Sequence, residues 1–228
     1  MNAEKIYIAT KEAMDWYIRM NELGNVTDEM MESMEKVCLH LPLTTLYRLN
    51  KEAQEEMYRK NAKGSSAPSL SAVKRLLKEC QDKQESIRKA WNWTSPYGKN
   101  LWVLCDGYRA VALTAGLPTI PTYDPDHDKY KPVDIGGVLR PIYDGTHMEE
   151  METPSLAEVK QAILDAKANG DKNPKIKVNG KLFNAKYMQD MIEILPNARM
   201  YQTDDKPISP AFFMDEDGNV GIILPIRP

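Results

Sequence analysis

The chain has 228 residues, of which 42% are hydrophobic and 28% charged, enough apolar mass for a real core. Thirty Lys and Arg against 33 Asp and Glu give a net charge of −3, which excludes a surface that is basic throughout and grips phosphate everywhere. Three scattered cysteines, Cys38, Cys80 and Cys105, exclude a disulfide framework and point to a reducing, cytoplasmic setting.

The N-terminus carries acids and no apolar signal core, and no apolar run reaches the ~20 residues of a membrane span. Lys5–Ala9 reads as a short strand with Ile6 and Ile8 on one face. Thr10 then reads as the N-cap of a helix ending at Gly24. Its apolar stripe is Ala13, Met14, Trp16, Tyr17, Met20 and Leu23. Residues 27–90 read as a helical insertion in a single domain spanning 1–228. A helix from Thr27 is broken at Pro42, a second runs to Gly64, and a third covers Ser69–Trp91.

From Leu101 the pattern becomes β-prone, with Asp106-Gly107 in its middle. Two strands joined at a DG turn is the simplest reading, and one strand bent at Gly107 the competitor. Residues 117–154 hold six prolines and little periodicity, so irregular chain is expected there. A helix opens at Ser155 and stops at Gly170. A hairpin follows, 175–178 and 181–183, about an Asn179-Gly180 type I′ turn. Asn184 caps a helix that stops near Pro196, and strands are expected over 199–203, 208–214 and 220–226. The order is β-α-β-β-β. The opening β-α and the strands from Leu101 form a weaker copy in this reading.

Two segments stand out. One is Val103-Leu104-Cys105-Asp106-Gly107-Tyr108-Arg109-Ala110. The other is Phe183-Asn184-Ala185-Lys186-Tyr187-Met188-Gln189-Asp190, together with the ending Ile223-Leu224-Pro225-Ile226-Arg227-Pro228. They resemble the bacterial β sliding clamp family, the ring-shaped processivity factors of replicative polymerases. There an apolar strand runs into Thr-Asp-Gly-His-Arg-Leu, a helix opens Phe-Asn-x-x-Tyr-Leu-x-Asp, and the chain closes on Met-Pro-Met-Arg. Here Tyr108 replaces the His, Ala110 the Leu, and Leu224 and Ile226 the methionines. The resemblance covers roughly 1–20, 95–115 and 180–228.

It implies an α+β fold, a single DNA-clamp-like repeat of two β-α-β-β-β halves carrying a helical insertion. It implies a non-enzymatic binding or scaffold protein of DNA metabolism that uses no cofactor. Its partners would be a polymerase or other replication proteins that dock short peptides. The matching peptide-binding positions are Gly107, Tyr108, Arg109, Ala110, Ile223, Leu224, Pro225, Ile226 and Arg227. These lie on different halves of the repeat. If they do not meet in one monomer, the groove is completed only where two copies join head to tail. Removing Arg109 is then expected to weaken peptide binding and leave the fold intact.

For weak duplex DNA contact, the most basic helix offers Lys74, Arg75 and Lys78, although a solvated helix face reads better there. The alternatives are a clamp-derived protein-interaction module without DNA function, or an enzyme with an unrecognised site. Catalytic and metal patterns are absent from the sequence. Cys105 sits in an apolar strand, and His40, His127 and His147 have no ligand spacing. Asp124-Pro125-Asp126-His127-Asp128 imitates a calcium loop, but Lys129 stands where its Gly belongs and Ile135 where its closing Glu belongs. Trp91 and Trp93 beside Tyr97 are expected to pack the helical block onto the sheet.

Overall fold

The computed structural model describes residues 2–23, 43–62, 67–79, 89–129 and 131–227. The expected helix from Thr27, the break at Pro42, Cys38, His40 and Cys80 lie outside them, as do the side chains of Tyr17, Met20 and Leu23. The chain divides into two compact units, Met1–Ser65 and Ser66–Pro228. The boundary falls inside the segment 27–90 that the sequence reads as one insertion.

The first unit pairs helix α1 (Ala3–Leu23) with helix α2 (Leu43–Ala62). Lys5–Ala9 is therefore helix, not strand, and Thr10 is an interior helical residue, not a cap. The reason is a helical stripe of small residues. Ala3, Thr10 and Ala13 are buried, as are Leu46, Asn50 and Ala53 of α2. Thr10 Oγ1 donates to the carbonyl of Ile6 (2.7 Å), and Asn50 Nδ2 donates to Thr10 Oγ1 (2.9 Å) and to the Tyr7 carbonyl (3.2 Å). Burial of that stripe outweighs the β propensity of Ile6, Tyr7 and Ile8.

The second unit is α+β. Helix α3 (Leu70–Glu79) precedes strands β1 (Trp91–Thr94), β2 (Asn100–Cys105) and β3 (Arg109–Leu113). Helix α4 (Ile135–Tyr143), strand β4 (Glu149–Met151) and helix α5 (Leu156–Ala168) follow. The hairpin β5 (Lys175–Val178) and β6 (Lys181–Asn184), helix α6 (Ala185–Ile194) and strands β7 (Arg199–Gln202), β8 (Ala211–Met214) and β9 (Val220–Ile223) complete it. Seven strands form one sheet in the order β1-β2-β3-β9-β8-β7-β4, every neighbour antiparallel, and β5-β6 stands as a separate ribbon.

The order contains a duplication. α3 then β1-β2-β3, and α6 then β7-β8-β9, are two αβββ units joined through their last strands, β3 on β9. α3 packs on α6, and each helix packs on its own unit's strands. The later unit matches the β-α-β-β-β reading of 181–226 in order, although β6 pairs only with β5. The earlier unit starts from α3, not from a β-α segment at residues 5–23.

Alternation assigns the two faces. Trp91, Leu101, Val103, Cys105, Ala110, Ala112, Phe212, Val220 and Ile222 cluster with Ile135 and Leu139 of α4. Arg109, Val111, Leu113, Gly221 and Ile223 turn the other way, toward α6, whose Met188, Met191 and Ile194 are buried. Both faces of β2 and β3 are covered, which is why they read as a nearly unbroken apolar run. Each large apolar side chain so buried contributes about 1.5–3 kcal/mol.

The segment 117–154 is not irregular throughout, since it contains α4 and β4. Its prolines and Gly136-Gly137 conceal a helix that Asp134 caps, accepting from the Gly136 N–H (3.0 Å), and that Ile135 and Leu139 anchor. Pro141 is accommodated inside it. The aromatic cluster likewise packs elsewhere than expected. Trp93 and Tyr97 lie 5.8 and 5.7 Å from the ring of Tyr143 in α4, and Tyr97 donates its hydroxyl to the Tyr143 carbonyl. Trp91 opens β1 instead of closing the Ser69 helix, and Ala90 bridges to Thr122.

The hairpin turn has the positive φ angles that a type I′ turn requires, +45° at Asn179 and +81° at Gly180. Strands β8 and β9 are shorter than expected. Residues 207–209 form a turn, and 224–227 leave the sheet.

Candidate functional site

The two conspicuous segments come together within one chain. Residues Arg109 and Ile223 are direct partners across β3 and β9, and the Leu224 N–H donates to the Tyr108 carbonyl (2.8 Å). No second copy is needed to join them. Beyond Leu224 the chain runs on to β6, where the Ile226 N–H donates to the Leu182 carbonyl (2.7 Å).

Asp106 builds the turn between β2 and β3. Its Oδ1 accepts the N–H groups of Tyr108 (2.8 Å) and Arg109 (2.9 Å), while its Oδ2 accepts from Arg109 Nε (2.8 Å). Gly107 takes φ +89°, a conformation that side chains with a Cβ rarely adopt. The Asp-Gly-x-Arg pattern is thus a self-contained turn whose arginine folds back on its aspartate.

The second segment supplies the rest of the constellation at helical spacing. Asn184 Oδ1 accepts from the N–H groups of Lys186 (2.9 Å) and Tyr187 (3.3 Å), capping α6. One turn on, Tyr187 places its ring 4.2 Å from the Arg109 guanidinium carbon. One turn further, Asp190 accepts from Arg109 Nη1 (2.6 Å) and, through its other oxygen, from Arg75 Nε (2.6 Å). Arg75 also donates to Glu193 (2.5 Å). Burial alone would lower its pKa, but the bonds to Asp190 and Glu193 outweigh that and raise it. Phe183 is fully buried beneath the helix start.

The expected peptide-binding set therefore divides. Arg109, Ala110 and Ile223 are buried, and the Arg109 side chain has no exposed surface. Arg109 is occupied by two carboxylates and a ring and is no surface anchor. Its Nη2 is buried without a partner among the described residues. Removing Arg109 would take from Asp106 and Asp190 the buried cation they share, so a cost to the fold is now expected in place of a fold left intact.

What reaches the surface is Gly107, Tyr108 (51% exposed), Leu224 (41% exposed) and Arg227, with Pro225 and Ile226 half-buried. The Tyr108 and Tyr187 rings lie 6.1 Å apart, extending this apolar strip onto α6. Burial raises the pKa of the Tyr187 hydroxyl, aided by the charges of Asp106 and Glu79. Burial also raises the Cys105 thiol, which is an unreactive state for a cysteine.

The expected DNA-binding residues lie on α3. Arg75 is committed to Asp190 and Glu193, Lys74 is half-buried, and Lys78 is exposed. Lys89 pairs with Asp128, and His127 Nδ1 lies 2.7 Å from Asp124 Oδ2. Among the described residues, no group of three or more His, Cys, Asp or Glu is placed to hold a metal ion. No described helix is long and apolar enough to cross a membrane. A half-open cleft of about 680 Å³ lies beside β7, lined by Asn197, Arg199, Tyr201, Met214 and residues 215–217.

Sequence reasoning named both segments but missed their direct linkage through Asp190 and Tyr187, and missed Arg75 as a member. The spacing Asn184, Tyr187, Asp190 was the available signal, since residues three apart share a helix face. Compared with protein-family models, with curated proteins and with solved structures, the chain matches none.

Proposed function

We propose that the chain is a non-enzymatic, clamp-like binding module of DNA metabolism, which takes a short apolar peptide of a replication partner along Tyr108, Leu224 and Ile226. The observation that carries this reading is the Leu224 N–H to Tyr108 carbonyl bond. It sets two half-exposed apolar side chains side by side at the end of the sheet. The Asp106–Arg109–Asp190 network beneath holds that end in place. Preorganised apolar anchors of this kind suit a peptide's large side chains. The duplicated αβββ order also supports a clamp-like repeat. Duplex DNA contact is a minor part of the reading, with Lys78 and the exposed side of α3 giving weak, salt-sensitive affinity.

Titration of a clamp-binding peptide tests the reading. Saturable binding is expected, weakened by about 1–3 kcal/mol in Leu224→Asp and in Ile226→Asp. No saturation at high micromolar peptide, or binding by both variants as tight as by the unmodified chain, would retire it.

A further inference from the structure

We infer that Lys181, a buried cation outside both conspicuous segments, is a positioning residue of the peptide strip: it locks the β5–β6 ribbon to the β7–β8 loop and so fixes Ile226 relative to Leu224. The inference rests on the strip being the peptide site. The strip is tied to two separate pieces of backbone. Leu224 belongs to the seven-stranded sheet, its N–H donating to the Tyr108 carbonyl (2.8 Å). Ile226, two residues on, belongs to the ribbon, its N–H donating to the Leu182 carbonyl (2.7 Å). The ribbon shares no strand pairing with the sheet. Pro225, between the two anchors, has no N–H with which to make a tie of its own. How far apart the anchors stand therefore depends on how the ribbon is seated.

One end of the ribbon is held by α6, since Phe183 is fully buried and Asn184 passes straight into the helix. The turn end is held by Lys181, the neighbour of Leu182. Lys181 has no exposed surface, and its Nζ donates to the carbonyls of Asp204 (2.8 Å) and Ser209 (3.2 Å). Those two residues lie in the loop joining β7 to β8, and the loop is closed on itself. The Asp204 carboxylate accepts from the Lys206 N–H (2.9 Å) and from the Ser209 side chain, while the Ser209 N–H donates to the Lys206 carbonyl (3.1 Å). The two carbonyls are thus held as a pair for one ammonium. Burial disfavours the charge on Lys181, and the charges of Asp204 and Asp205 favour it. An apolar side chain would fill the same place without the cost of desolvating a cation. What the ammonium adds is a directional tie between ribbon and loop, one residue from the carbonyl that holds Ile226.

The test uses the full chain, with amide hydrogen exchange of the free protein and titration of the same clamp-binding peptide. Lys181→Met keeps an unbranched stem and removes the donors. It should speed exchange of the Ile226 N–H by about tenfold and leave that of Leu224 within about twofold. Ser209→Ala loosens the loop from a half-buried position and should speed Ile226 selectively by a smaller factor; should Lys181→Met fail to fold, this variant decides alone. Peptide affinity should fall about fivefold in Lys181→Met. In that background Ile226→Ala should cost little further, while Leu224→Ala costs as much as in the unmodified chain. A lysine that only stabilised the fold would speed both amides alike and leave both alanine costs unchanged, and either result would overturn the assignment. So would an Ile226 amide that neither variant moves. Absence of peptide binding by the unmodified chain would retire the peptide reading, whereas the exchange at Ile226 decides independently whether Lys181 seats that residue.

Discussion

The guanidinium carbon of Arg109 lies 4.2 Å from the centre of the Tyr187 ring, although 77 intervening residues separate the two in sequence. Arg109 closes the β2–β3 turn on Asp106, and Tyr187 stands on the helix that also carries Asp190. The contact therefore ties the first αβββ unit to the second on the buried side of the sheet, and Arg75 extends the tie to α3.

Arg109→Met should destabilise the second unit by about 3–5 kcal/mol, because it leaves two carboxylates without their buried partner. The triple replacement of Asp106, Arg109 and Asp190 by apolar or amide side chains should cost less than that single change. Denaturant midpoints of the two variants check this, and a small loss in Arg109→Met would argue against the network.

The Tyr187 hydroxyl should ionise above its ordinary value of 10.0, burial being the main cause. A raised pKa in the folded state means that the neutral phenol is favoured there. Its contribution to stability is full below about pH 10 and is lost as pH climbs through the raised value. Burial raises the Tyr58 and Tyr143 hydroxyls as well, so an absorbance titration should show late-ionising phenols, and Tyr187→Phe should remove one phenol from that late phase.

Asn184→Ala removes the cap that accepts from two N–H groups of α6 and should cost about 1 kcal/mol. Asn184→Ser should recover most of it, since a hydroxyl caps nearly as well. Thermal melts of the pair separate a lost cap from lost packing.

Gly221→Ala should destabilise by about 1–3 kcal/mol through overpacking. A Cβ at this position would fall 2.5 Å from Met191 Cε and 2.7 Å from Leu195 Cδ1, with the Ala110 carbonyl at 3.3 Å. Shortening Met191 in the same chain should recover part of the loss, which a double-mutant cycle would measure.

The later half of the chain was legible in the sequence because its signals are local. Asn179-Gly180 has the residues a type I′ turn demands, Asn184 caps within three residues, and Asp106 satisfies its own turn. Such interactions need no knowledge of distant chain. The opening was misread for the opposite reason. Ile6, Tyr7 and Ile8 favour a strand locally, and only burial of Ala3, Thr10 and Ala13 with Asn50 reaching across from α2 makes them helical. The same holds for α4, where two glycines and a proline hide a helix that Ile135 and Leu139 secure against the sheet.

The candidate site follows this division. The amino-acid sequence determined the turn at Asp106-Gly107, the capped helix from Asn184 and the apolar chain end, each through contacts within a few residues. Only the tertiary structure decided that β3 pairs with β9. That pairing buries Arg109 between Asp106 and Asp190 and leaves Tyr108 beside Leu224 at the surface. The physical reason is that strand alternation sends neighbouring residues to opposite faces, so which of them meets a partner depends on a pairing made across more than 100 residues of chain.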